Sequence, residues 1–267
     1  KNITGRTGVS AEYAFVENAA GSITPWATIA MLNAGMIKDV DVVPPRSEYT
    51  ALNAAAFRNH LTVVKMLVAK GANVNAVDKR NKSTAIFYAV ENGNLEMVKF
   101  LAETKARINV TNGDGEPLVV IALYRSKPDD AAILRYLLER GADPTIPDAR
   151  GNSVIVDAVT ECKPAAVRLL IKEYRVDPNT RRGNVSTLLS AAAVQAGTAC
   201  KEIVKFLIEA GANPWAKFGP RDVLFTLNAP TVNPQMFPSF KENSAMILKA
   251  RRSIPMPADF GAAYSEP

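Results

Sequence analysis

Residues 50–76 read Thr50-Ala51-Leu52-Asn53-Ala54-Ala55-Ala56-Phe57-Arg58-Asn59-His60-Leu61-Thr62-Val63-Val64-Lys65-Met66-Leu67-Val68-Ala69-Lys70-Gly71-Ala72-Asn73-Val74-Asn75-Ala76. An alanine-rich helix, a tight turn, a second helix with apolar residues at helical spacing and a glycine stop follow one another. Small side chains let neighbouring first helices approach closely. Val63, Val64, Leu67 and Val68 give the second helix an apolar face for the next repeat. The glycine takes a left-handed conformation that a side chain penalises.

The pattern recurs. Thr84 to Asn94 precedes Leu95-Glu96-Met97-Val98-Lys99-Phe100-Leu101, and later come Ile133 to Pro144 and Ile203 to Pro214. Aligning the helix stop gives Gly35, Gly71, Lys105, Gly141, Tyr174 and Gly211, at intervals of 36, 34, 36, 33 and 37 residues. Self-similarity near 33 residues marks a stacked array in which no unit buries its apolar face alone. Leu67, Leu137 and Leu207 share one slot and are expected in the core.

The Gly-Ala-Asn/Asp signature at Gly71 to Asn75, Gly141 to Pro144 and Gly211 to Pro214 resembles the ankyrin-repeat family, over roughly residues 10 to 252. The resemblance implies an all-α solenoid of stacked helix-turn-helix repeats with short β-hairpin-like fingers. The family's Thr-Pro-Leu-His start is eroded: Asn53, Phe87, Val119, Val156 and Ser190 fill the histidine slot. Lys105 and Tyr174 stand where glycine is usual, so both are expected in left-handed backbone. Insertions lengthen the turns around Arg125 to Asp130 and Ala196 to Ala199.

Four segments are expected: a degenerate capping repeat at 1–47, about five core repeats at 48–219, a C-terminal capping repeat with a long loop at 220–252, and a proline-containing tail at 253–267. In the first cap, residues 11–18 and 24–34 read as a helix pair, with Thr24-Pro25 opening the second helix. In the last, a helix is expected from Asp222 to Asn228, a proline-broken loop from Ala229 to Phe240, and a closing helix from Lys241 to Arg252.

Composition bounds the function. The chain has 267 residues, 48% of them hydrophobic and 22% charged, which argues against wholesale disorder. Leu118 to Tyr124 is far too short an apolar run to span a bilayer. No basic-then-apolar leader marks secretion, and a start at Lys1 reads as a region excised from a longer chain. Cys162 and Cys200 lack the number and spacing of a disulfide framework, and two free thiols in a reducing compartment are expected. An intracellular location, cytoplasmic or nuclear, goes with that reading.

Catalytic chemistry finds no set of residues. His60 is the one histidine and sits in an inter-helix turn, so a triad has no further candidate base. Cys162 and Cys200 have no CxxC partner for zinc, and neither a phosphate loop nor a dinucleotide glycine fingerprint occurs. Asn112-Gly113-Asp114-Gly115-Glu116 echoes a calcium loop but lacks the closing glutamate, and it reads as a turn. No enzyme activity, metal or cofactor is expected.

The resemblance places partner binding on finger tips and first helices, which line a concave surface in the family. The tips are Arg46 to Glu48, Asp78 to Lys82, Asn112 to Glu116, Asp148 to Asn152, Arg181 to Asn184 and Lys217 to Arg221. Arg46, Lys79, Arg80, Arg150, Arg181, Arg182 and Arg221, with Phe57, Arg58, Tyr88, Glu91, Tyr124, Arg125 and Phe218, are the expected contact residues. Arginine and aromatic side chains dominate interface energetics, and net charge +6 with pI near 9.3 favours an acidic or phosphorylated partner. A monomeric scaffold or adaptor is expected to recruit, anchor or inhibit a partner. The alternative is a regulatory or targeting domain of a larger enzyme. Nucleic acid is disfavoured, because no stacking platform or dense basic stripe accompanies the charge.

Overall fold

Thr50 caps a helix: its hydroxyl accepts from the Asn53 backbone amide at 3.2 Å, and Ala51–Phe57 follows as helix α3. The computed structural model describes residues 11–19, 26–45, 47–125, 131–182, 186–195, 197–215, 217–218, 221–222 and 238–256. They fall into two compact units, Lys1–Arg125 with Ala132–Asp143, and Ser126–Ala131 with Pro144–Pro267.

The first unit holds α1 (Ala11–Ala19), α2 (Trp26–Asn33), α3, α4 (Leu61–Ala69), α5 (Ala85–Glu91), α6 (Leu95–Glu103), α7 (Leu118–Arg125) and α8 (Ala132–Glu139). First helices α1, α3, α5 and α7 pack side by side, while α2 packs on α4 and α6 on α8. The alanine-rich choice explains the closeness: Ala51, Ala54, Ala55 and Ala56 are all fully buried. Leu67, Leu101 and Leu137 are also fully buried in the second layer. The N-terminal pair falls on the expected residues, and its Thr24-Pro25 opening lies outside the described residues, as does the insertion at 126–130.

The second unit holds α9 (Val154–Thr160), α10 (Pro164–Lys172), β1 (Arg181–Arg182), β2 (Ser186–Thr187), α11 (Leu188–Ala193), α12 (Thr198–Glu209), β3 (Lys217–Phe218), β4 (Arg221–Asp222) and α13 (Pro238–Ser253). The fingers form a small antiparallel sheet in the order β1-β2-β3-β4, with Arg181 opposite Thr187 and Ser186 opposite Phe218. Asp222 is therefore a strand residue where a helix start was expected. The closing helix begins at Pro238, three residues before the expected Lys241, because proline suits a first helical turn. Residues 223–237 and 257–267, with the expected helix, loop and tail there, lie outside the described residues.

The eroded histidine slot stays in the core by three routes. Asn53 is fully buried, and its amide donates to Ala76 O at 3.0 Å and Ser83 O at 3.5 Å, tying α3 to the next finger. Ser190 completes a reciprocal capping box with Thr187. Phe87, Val119 and Val156 simply fill apolar space. Asparagines stitch the finger bases in the same way: Asn75 donates to Lys105 O at 3.2 Å and accepts from the Arg107 amide at 2.7 Å. Asn109 does so with Gly141 and Asp143, and Asn179 with Gly211 and Asn213.

Lys105 has φ 69, as its glycine slot requires. Lys105→Gly should stabilise the first unit by about 0.5–1 kcal/mol in urea denaturation, since glycine removes the Cβ penalty there. The equivalent residue after α10 is Arg175, at φ 56, and not Tyr174. Two residues, Glu173 and Tyr174, separate the end of α10 from this reversal, against one, Lys70, after α4, so the chain reverses one residue later than the alignment implies.

The cysteines correct the thiol expectation: Cys162 and Cys200 form a disulfide, with Cα atoms 4.9 Å apart. Stacked helix axes lie about 8–10 Å apart, wider than the roughly 7 Å between Cα atoms that a bridge allows. The geometry escapes that limit because neither residue sits mid-helix. Cys162 lies in the inter-helix turn at φ 51. Helix α12 starts 13 residues before its glycine stop, against 10 for α4, and that extra N-terminal turn brings Cys200 back to it.

Candidate functional site

Tyr49 precedes the Thr50 cap, and its backbone is tied to Ser47, whose Oγ donates to Tyr49 O and accepts from the Tyr49 amide, both at 3.2 Å. The ring stacks on Phe57 with centroids 5.9 Å apart and planes 14° apart. Phe57 meets the edge of Tyr88 at 5.4 Å, and Tyr49 meets Tyr88 at 6.2 Å. Phe57, at the end of α3, is 37% exposed. The Arg58 guanidinium covers its ring at 5.2 Å, and Arg80 Nη1 donates to the Tyr49 hydroxyl at 3.0 Å. Residues from one finger, two first helices and the segment before α3 thus converge on one aromatic and cationic surface. Arg58, Lys79, Arg80 and Lys82 are exposed around it, with Glu48 as an exposed opposing charge.

Asp78 is the buried hub of this finger. Its carboxylate accepts from the Asn81 amide at 2.7 Å, the Ser83 amide at 3.0 Å and the Tyr88 hydroxyl at 2.9 Å. An aspartate that bonds backbone two or three residues ahead is a standard device for holding a turn. Tyr88, expected as an exposed contact, is instead buried at 1% exposure. It serves the surface from beneath, as the edge against which Tyr49 and Phe57 rest. Burial first, and then the hydrogen bond and charge of Asp78, push its phenol far above the ordinary tyrosine range.

The unfolded chain releases this proton near the ordinary tyrosine value of about 10, while the folded chain retains it. The stability contributed by the neutral phenol is therefore complete below about pH 10 and lost as pH rises beyond it. Alkaline denaturation of the first unit should be less steep in Tyr88→Phe than in the native chain, as read by circular dichroism across that range.

Glu91, half-buried at the end of α5, is also held up by burial; the Arg125 charge opposes this, while Asp78 and Glu116 add to it. Arg125 is exposed at the end of α7, and Tyr124 beside it is half-buried. The Asn112 finger is a turn: Asn112 Oδ1 accepts from the Asp114 and Glu116 amides at 3.1 and 2.9 Å. The Gly113 amide donates to Asn81 O at 2.6 Å, and a Cβ on Gly113 would meet that oxygen at 2.8 Å, so the two fingers approach by backbone alone.

In the second unit Arg150 turns inward on its own finger. Its Nε donates to Asp148 at 2.8 Å and its Nη2 to Asp157 at 3.4 Å. Burial raises Asp148, but the Asn152 amide and Arg150 outweigh it, and the net shift is downward. Arg150 is therefore first a finger clamp. Arg181 is exposed on β1. Arg182, Phe218 and Arg221 take part in the sheet by backbone, and their side chains, like all of Arg46, lie outside the described residues. Tyr49 was not in the sequence-based site, and Asp78 stood there only as the first residue of a finger tip, not as a buried hub. The recurrence of Asp78 and Asp148 seven residues after a helix-stop glycine, Gly71 and Gly141, was the available signal for that role.

Among the described residues no three His, Cys, Asp or Glu side chains are grouped to hold a metal ion, and no helix is long and apolar enough to cross a membrane. A family model described as ankyrin repeats (3 copies) matches residues 28–112 and 118–218. The chain is 33% identical over 104 residues to an intracellular phospholipase A2 of Caenorhabditis elegans, a match covering 38% of this chain and 10% of that protein. In structure it resembles the human ASB11 ankyrin repeat domain with a TM-score of 0.66, at 21% identity, over 91% of this chain and 99% of the other. Such repeats indicate a protein-interaction module, and with the family model matching well over half of its length the chain belongs to the ankyrin-repeat family.

Proposed function

We propose that the chain is a non-catalytic scaffold or adaptor whose first unit grips a partner segment through Tyr49, Phe57, Arg58 and Arg80. The segment presents an apolar side chain flanked by acidic or phosphorylated residues. One observation carries this reading: an exposed phenylalanine sits on an aromatic cluster, with one arginine over its face and a second bonded to the neighbouring tyrosine. An exposed aromatic side chain beside planar guanidinium donors is the kind of group that becomes an energetic centre when a partner buries it. Lys79, Glu91, Tyr124 and Arg125 flank the same fingers and first helices, and Arg181 is a further exposed cation on β1 in the second unit.

An array of acidic and phosphorylated peptides, followed by calorimetry on the best binder, tests this. Reversing Arg58 and Arg80 together to Glu should weaken binding at least tenfold, about 1.4 kcal/mol. Melting should stay nearly unchanged, since exposed substitutions shift stability by about 0.5 kcal/mol or less. Equal affinity in the double reversal sinks the assignment. Arg150→Glu is not equivalent, because it also breaks the Asp148 and Asp157 contacts.

A second reading rests on the match to the nematode phospholipase, of which the matched stretch is a small part. In it this array is a regulatory or targeting domain of a larger intracellular enzyme. An antibody against the chain distinguishes the two in source extract: a band only near 28.8 kDa rejects the second reading, and a much larger species supports it.

A further inference from the structure

The Cys162–Cys200 bond closes a seam that the first unit closes without covalent help. Asn59 and Cys162 both occupy the inter-helix turn in left-handed backbone, at φ 62 and 51. From Asn59 the link to the next repeat is a hydrogen bond, in which the Asn94 amide donates to Asn59 Oδ1 at 2.7 Å. Asn92 adds bonds to Ala56 O at 2.9 Å and Phe57 O at 3.2 Å. The seam beside the disulfide has its own packing, α9 on α11 and α10 on α12, and an Arg168–Glu202 ion pair at 3.2 Å. The repeat therefore has the means to stay stacked with the bond open.

The two sulfurs stand in unlike surroundings. Cys162 is half-exposed in its turn, with Lys163 next in the chain. Cys200 is 1% exposed and is the third residue of the twelve-residue α12. An incoming thiolate reaches the Cys162 side and not the buried one. The sulfur that must leave is then Cys200, in the first turn of a helix, where unpaired backbone N–H groups face the charge that develops on it. Accessibility thus selects the direction of attack.

We propose that Cys162–Cys200 is a thiol–disulfide exchange site, opened by a dithiol reductant that attacks Sγ of Cys162. The reductant's thiolate forms a new S–S bond to Cys162 as the Cys162–Cys200 bond breaks, and the electron pair of the broken bond goes to Cys200, which then takes a proton. The reductant's second thiolate attacks the reductant's own sulfur in the mixed disulfide. Cys162 leaves as a thiolate and is protonated. The protein gains two electrons and two protons, and the dithiol is oxidised to a disulfide. The closed ring encloses α10, the β1–β2 finger with Arg181, and α11, so its opening loosens the repeat that carries that finger.

The full chain is first oxidised with glutathione disulfide and its free thiols are counted after unfolding; failure to form the intramolecular bond overturns the proposal. The folded oxidised chain is then treated, without denaturant, with dithiothreitol in one arm and glutathione in the other, and quenched by alkylation. Dithiothreitol should expose both thiols while the helical circular-dichroism signal is retained. Glutathione should be trapped on Cys162 in about tenfold excess over Cys200, following their difference in access. A bond that yields only after denaturant is added, adducts mainly on Cys200, or helix loss on reduction would each overturn the site.

Discussion

Truncating Leu67, Leu137 or Leu207 to alanine should destabilise the unit that contains it by about 2–5 kcal/mol. The three occupy one slot, in α4, α8 and α12, and each is fully buried. Leu101 and Leu170 fill that slot in α6 and α10 and are equally buried, so the position is a continuous core element within each unit. A stacked array relaxes poorly around such a loss, because the next repeat is held by its own neighbours as well. The cost therefore includes the cavity as well as the lost transfer energy. Urea denaturation followed by circular dichroism reads the effect, with the Leu67 and Leu137 variants moving the first unit's transition and Leu207 the second's. Leu248→Ala is the control, since that side chain is 47% exposed on α13 and should shift stability by about 0.5 kcal/mol or less. Midpoints that barely move in all three core variants would refute the register.

The same register was legible in the sequence because it rests on period and composition. Apolar residues at helical spacing, alanines in first helices and glycine stops are each local, and the structure places Gly71, Lys105, Gly141 and Gly211 where the alignment does. What the sequence did not show depends on contacts that no local pattern encodes. Tyr88 reads as an exposed aromatic until the buried Asp78, ten residues earlier, takes its hydroxyl. Arg150 reads as a free cation until Asp148 and Asp157 close on it. The shift from Tyr174 to Arg175 turns on one extra residue between the end of α10 and the reversal. Within the candidate site the basic tips were visible, whereas Tyr49, the residue that joins Arg80 to Phe57, was not. Its role comes from ring packing on Phe57 and Tyr88, residues 8 and 39 positions further along the chain.

Opening the Cys162–Cys200 bond should lower the stability of the second unit by about 2–4 kcal/mol. The bond spans a sequence separation of 38 residues, and the chain-entropy relation for a loop of that length gives about 4 kcal/mol at 25 °C. The lower end allows for residual structure in the reduced unfolded chain, which shrinks the entropy the bond removes. The measurement is a pair of urea titrations, oxidised against dithiothreitol-reduced, with Cys162→Ser as a third sample that cannot reform the bridge. The reduced chain and the variant should agree with each other and differ from the oxidised chain in the second unit's transition alone. The first unit, whose equivalent seam rests on the Asn59–Asn94 hydrogen bond, provides the internal reference. If reduction leaves both transitions in place while alkylation confirms two thiols, the bond constrains nothing in the unfolded chain and the stability assigned to it is wrong. If both transitions move together, the effect of the bond is not confined to the repeats it joins.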